Sequence, residues 1–153
     1  MLTVLCILIG GVAGLRALTA PAAVSWAAAL GWLPLQDSAL AFLGYRWTPW
    51  IFTVLALGEL VTDKLPATPS RKIPIQFATR VASGALCGAA MGASGGVLAI
   101  GLLAGALGAV LGTLGGAWAR GRLAAAFGSD RPAAFLEDAV AIVGAYLIVT
   151  AAL

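Results

Sequence analysis

The sequence predicts an all-α protein, a bundle of about five membrane-spanning helices forming a single integral membrane domain over residues 1–153. Three observations predict it. The 153 residues are 61% hydrophobic and 10% charged, with a mean hydropathy of +1.02, whereas soluble domains carry roughly 25% charged residues. A water-soluble fold of this length lacks the interior to hide so much apolar surface. At ~20 residues per span, the apolar runs separated by proline, glycine and charge account for the whole chain, and glycine recurs every fourth position within them. A large soluble module or a dinucleotide-binding domain is thereby excluded. The absence of His removes the commonest general base and metal ligand, and no metal or cofactor is expected.

The first segment, residues 2–20, is apolar except for Arg16. Pro21 is expected to interrupt it, and residues 22–33 continue as an apolar stretch too short to span, which suggests a broken or re-entrant helix against the first. The run Leu33-Pro34-Leu35-Gln36-Asp37-Ser38 reads as a loop. Trp26, Trp32, Tyr45, Trp47 and Trp50 supply an aromatic belt near one membrane surface. Segment two covers residues 47–62, with Glu59 near its end. The polar stretch after it holds Pro66, Pro69 and Pro74, which forbid a helix across it. Segment three covers 77–94, Gly95-Gly96 makes a tight turn, and segment four covers 97–118. A loop around Arg120, Arg122, Asp130 and Arg131 leads to Pro132, placed where a first helical turn tolerates it, and segment five runs to Leu153.

Lys64, Arg71, Lys72 and Arg80 follow segment two, and Arg120, Arg122 and Arg131 follow segment four. With five spans both groups fall on one side, the cytoplasm of a bacterial inner membrane by the positive-inside rule, so the N-terminus is expected to be cytoplasmic and the C-terminus external. The N-terminus lacks the basic start of a signal peptide, so the first helix is expected to be retained. Cys6 and Cys87 sit in apolar runs and read as buried hydrophobes.

Several constellations are candidates for chemistry. Gly84, Gly88 and Gly92, then Gly101 and Gly105, then Gly108, Gly112 and Gly116, and Gly10 with Gly14, form a glycine-zipper pattern. Small residues at this spacing let helices approach closely, within one chain, across a homodimer interface or around a substrate groove. Arg16 cannot shed its charge, so inside an apolar helix it either snorkels or needs a carboxylate or anionic ligand. Glu59 and Asp63 lie one helical turn apart on one face, a setting for a proton or cation. Glu137 and Asp138 follow Pro132, where the helix dipole favours carboxylates. Each half, residues 1–76 and 77–153, carries an arginine-bearing glycine-rich helix, a Pro-Ala-Ala step and a carboxylate-bearing helix, a pattern of the kind internal repeats leave in small transporters.

The run Gly14-Leu15-Arg16-Ala17-Leu18-Thr19-Ala20-Pro21 resembles the Gly-x-Arg-x-x-x-x-Pro signature that opens the DUF4126 family of bacterial membrane proteins. Glu59-Leu60-Val61-Thr62-Asp63-Lys64-Leu65-Pro66 is similar to its second signature, and the stretch from Asp130-Arg131-Pro132 to Glu137-Asp138 to its third. The resemblance spans nearly the whole chain and puts Arg16, Pro21, Glu59, Asp63, Pro66, Arg131, Pro132 and Glu137 at signature positions, but it implies no activity.

The leading expectation is a small transporter or channel with a site built from Arg16, Glu59, Asp63, Glu137 and Asp138, in which Glu59 binds the proton or cation and Arg16 anchors a partner or an anionic group. The alternative is a protein that binds or processes anionic lipid head groups, with Lys64, Arg71, Lys72, Arg120, Arg122 and Arg131 on phosphate. A third reading is a structural membrane protein. No nucleophile lies beside a plausible base, so catalysis is not expected. The basic residues occupy two short loops, which excludes a nucleic-acid interface.

Overall fold

The computed structural model describes residues 1–65, 70 and 72–153. Among these the secondary structure is entirely helical: α1 (Leu2–Leu15), α2 (Thr19–Ala29), a 3-10 turn at Ala41–Gly44, α3 (Thr48–Thr62), α4 (Pro74–Ser94), α5 (Leu98–Phe127) and α6 (Asp130–Thr150). Two helices, α5 and α6, are long and apolar enough to cross a membrane. At a rise of 1.5 Å per residue, α1 and α2 are only about 21 and 16 Å long.

The centre is a three-helix slab of α1, α4 and α5 packed at glycine. A Cβ on Gly88 would run into the carbonyl oxygen of Gly101 and lie 2.7 Å from the Cα of Gly105. One on Gly10 would strike the Gly105 carbonyl, and one on Gly112 would lie 2.8 Å from the Cα of Gly11. The backbones meet directly, so dispersion is collected at a separation no larger side chain permits. Gly95 and Gly96 turn α4 into α5, with Gly96 at φ +73. Helices α2, α3 and α6 form a second group against this slab; α2 packs on α3 and α6, and α6 bridges back to α5 and α1.

Contacts along the helices fix their directions. Leu2 lies against Gly95, Gly14 against Thr113, and Gly144 beside Val12, so α1 runs parallel to α5 and antiparallel to α4 and α6. Glu59 reaches residues 17 and 18 while Thr53 meets Trp26, so α3 is antiparallel to α2. The chain therefore turns back at Arg16, and the six helices alternate in direction. Leu2, the Gly95-Gly96 turn, the 3-10 turn and the end of α6 share one end of the molecule. The Arg16–Leu18 turn, Lys64 and Glu137–Asp138 lie toward the other.

Several expectations are corrected. The helix break comes at Arg16, which is extended at φ −139 and ψ 111, and Pro21 instead lies in the first turn of α2, where its missing N–H has no helical acceptor to lose. Pro132 likewise falls in the first turn of α6. Helix α5 continues nine residues past Trp118 to Phe127, so Arg120 and Arg122 are helical; alanine-rich sequence sustains helix until Gly128 ends it at φ +67. Helix α4 begins at Pro74, placing Arg80 well inside it. The two halves of the first segment run in opposite directions, giving six alternating helices where five spans were expected. The break expected at Pro66 lies outside the described residues, as does Arg71.

Long apolar side chains cover the outside. On α3, Val54 is 66% exposed; on α5, Leu103 is 68% exposed; on α6, Val140 is 60% exposed. Cys6 and Cys87 are buried free thiols, as expected.

Candidate functional site

The turn between α1 and α2 exposes backbone groups that no helix satisfies, the last carbonyls of α1 and the first N–H groups of α2. Side chains from three other helices complete them. Arg80 on α4 donates from Nη1 to the carbonyl oxygens of Gly14 at 2.9 Å and Leu15 at 2.6 Å. Thr113 on α5 donates to Gly14 at 3.3 Å, and the Ser83 hydroxyl donates to the carbonyl of Ala17. Glu59 on α3 accepts from the N–H of Ala17 with Oε1 and from that of Leu18 with Oε2, both at 2.8 Å. A break in an apolar interior is stable only when its polar groups are answered in this way.

Arg16, at the turn itself, is fully buried. Its guanidinium pairs with Asp63, the C-cap of α3, and with Asp138 on α6, at 2.7 Å from Nε and 2.5 Å from Nη2, with Glu137 at 3.8 Å. Lys64 pairs with the second oxygen of Asp138 and donates to the Leu60 carbonyl at 2.8 Å. Arg120 makes a two-bond fork with Asp130, at 2.9 and 2.6 Å, and reaches Glu137 at 3.2 Å. Arg80 lies 3.8 Å from both Glu59 and Asp63. Among the described residues one network thus joins Arg16, Lys64, Arg80 and Arg120 to Glu59, Asp63, Asp130, Glu137 and Asp138.

All five residues expected to form an ion or substrate site converge here. Their individual surroundings differ from the simplest expectation. Glu59 has both oxygens on backbone N–H groups. Glu137 and Asp138 lie two turns inside α6, because that helix starts at Asp130; the dipole fades beyond the first turn, and ion pairs hold them instead. Lys64 and Arg120, expected among surface lipid contacts, turn inward to carboxylates. Lys72, Arg122 and Arg131 are exposed, with Arg122 over the Trp118 ring at 5.3 Å. Sequence reasoning counted Arg80 only as loop charge. The signal was Pro74, which opens α4 six residues earlier and carries Arg80 to the α1 terminus. The two Pro-Ala-Ala steps open α2 and α6, which run parallel.

The fold and this site define a class: small all-helical proteins with helices of membrane length and a buried arginine–carboxylate network at a broken helix. The chain belongs to the DUF4126 family, described as a domain of unknown function, whose model matches residues 3–153. Comparisons with curated proteins and with solved structures give no match.

Proposed function

We propose that this protein is a multi-pass inner-membrane transporter in which the network at the helix break carries a proton, alone or coupled to a small solute. The observation that supports this reading is the cluster of buried charge at a discontinuous helix. Arg16, fully buried, meets Asp63 and Asp138 there, and Glu59 accepts from the N–H groups that lead into α2. Burying charge in an apolar interior is costly, and intramembrane ionisable groups at broken helices are where secondary transporters place their sites. Carboxylates are the groups of this network able to take up and release a proton.

The exposed cations Lys72, Arg122 and Arg131 belong to the ionic end, so the positive-inside rule puts that end toward the cytoplasm. With α2 turned back, both termini then face outward. A reporter fused at either terminus is expected to report the external side; a cytoplasmic N-terminus with an external C-terminus would restore the five-span arrangement.

The transport reading is tested in liposomes containing the purified protein, with a pH dye inside and an imposed membrane potential. The expected result is proton uptake faster than in empty liposomes and lost in Asp138→Asn. Uptake no faster than in empty liposomes, or unaltered by Asp138→Asn, overturns it. One observation favours a second, structural reading: the backbone groups of the break are completed within the chain. On that reading Asp138→Asn lowers the melting temperature and moves no protons differently from the parent.

A further inference from the structure

Between α2, α3 and α6, on the opposite side of α2 from the slab, lies a pocket of about 380 Å³, within the ~300–1,000 Å³ range of ligand sites. Ala23 and Trp26 line it from α2, Thr53 and Leu57 from α3, and Ile142 and Tyr146 from α6. The lining is almost wholly apolar, and the two hydrogen-bonding groups of the Trp26–Thr53 pair are spent on each other and on the Pro49 carbonyl. The lining also holds the Thr19 hydroxyl, which has no hydrogen-bond partner, and the polar tips of Trp32 and Tyr146, too few to satisfy water throughout a pocket of this size. The natural filling is hydrocarbon.

We propose that this pocket is an intramembrane site for one acyl chain of an anionic phospholipid, drawn from the leaflet opposite the ionic network. This rests on the membrane reading above. Two further observations select that occupant. Along α2 the lining extends from Thr19 to Leu30, about 16 Å at 1.5 Å per residue, which is half of the ~30 Å hydrocarbon core and so the depth of one leaflet. Aromatic and basic side chains lie beyond its outer end. Trp26 meets Trp50 edge-on with centroids 5.0 Å apart, at the start of α3, and exposed Arg46 stands just before that helix, stacked on Trp47 at 5.4 Å. At this end the charged side chains among the described residues are Arg46 and Asp37, and a lipid phosphate fits the cation. The site differs from the cytoplasmic lipid contacts considered from sequence: it lies at the other end and is chosen by its chain-shaped pocket.

The test is native mass spectrometry of the full chain in mild detergent with phosphatidylglycerol and phosphatidylcholine at equal concentration. The parent is expected to hold one phosphatidylglycerol, preferred about fivefold, the discrimination one basic residue supplies near a membrane surface. Ala23→Phe, which places a ring in the pocket, is expected to lose the bound lipid. Arg46→Gln is expected to keep a lipid and lose the preference. Wild-type occupancy in folded Ala23→Phe overturns the pocket assignment, and an undiminished preference in Arg46→Gln overturns the head-group assignment.

A second measurement needs no substitution in the pocket. Trp26 and Trp32 belong to the lining, so tryptophan fluorescence in vesicles should be quenched more by chain-brominated phosphatidylglycerol than by chain-brominated phosphatidylcholine at the same low mole fraction. Equal quenching overturns the proposal. Failure of the underlying reading looks different: a protein released from membranes by alkaline washing without detergent is not an integral membrane protein.

Discussion

The two sides of α1 solve the same problem with opposite chemistry. Toward α4 and α5, helices meet backbone to backbone at glycine, and polar contacts from Arg80, Ser83 and Thr113 enter only where α1 ends. Toward α3 and α6, the chain breaks at Arg16 and is held by arginines and carboxylates drawn from four other helices. The glycine side works by removing atoms, so its tolerance is steric. The ionic side works by pairing charges in an apolar interior, so its tolerance is electrostatic. One face makes the helices inseparable, and the other gathers arginines and carboxylates at the break.

The comparison is broken most severely at Gly105. A Cβ there would strike the carbonyl of Gly84 and lie 2.9 Å from the Cα of Gly88, so Gly105→Leu must part α4 from α5 and cost at least the ~3 kcal/mol top of the ordinary overpacking range. The expected outcome is loss of the monodisperse species on size exclusion, and recovery of a folded protein melting like the parent refutes the close packing. Arg16→Met comes next. It leaves Asp63 and Asp138 without their main cation, and orphaning a buried charge costs about 3–5 kcal/mol. A lower melting temperature in Arg16→Met, partly restored by adding Asp138→Asn, is expected; no recovery in the double variant would mean that the pair is not coupled.

Glu59→Gln has a smaller effect. Glutamine keeps one acceptor oxygen but turns an NH2 toward one of the two N–H groups at the start of α2, so about 0.5–2 kcal/mol of capping is lost. The fall in thermal stability should accompany faster amide exchange at Ala17 and Leu18, and unchanged exchange there would remove Glu59 from the break. The smallest effect has the reverse sign. Gly115 has open space where a Cβ would go, so Gly115→Ala should stabilise α5 by about 0.5–1 kcal/mol through lower backbone entropy in the unfolded chain. A destabilised Gly115→Ala would show that this glycine also faces a neighbour, such as a second copy of the chain.

Much of the site was legible because charge in so apolar a chain is rare enough to notice. Arg16, Glu59, Asp63, Glu137 and Asp138 stand out in an apolar chain, and the cost of burying each alone requires that they meet. Arg80, Arg120 and Lys64 were read as loop charges because their position depends on where α4 and α5 begin and end, and a proline or an alanine run leaves that boundary loose. The direction of α2 was not legible either. A proline five residues past Arg16 looks like the break, yet proline at the third helical position is harmless, and the true break has no breaker residue in it.

By itself the sequence determined the apolar, all-helical class, the family, the glycine rows and the inventory of charges, because composition and periodicity are properties of the chain alone. Only the tertiary structure decided that α2 turns back on α1, that Glu59 and Arg80 complete the break, that Lys64 and Arg120 point inward, and that α2, α3 and α6 leave a pocket between them. Each of these depends on which helix lies beside which. An unsatisfied carbonyl or a buried guanidinium states what it requires, and packing selects the neighbour that supplies it.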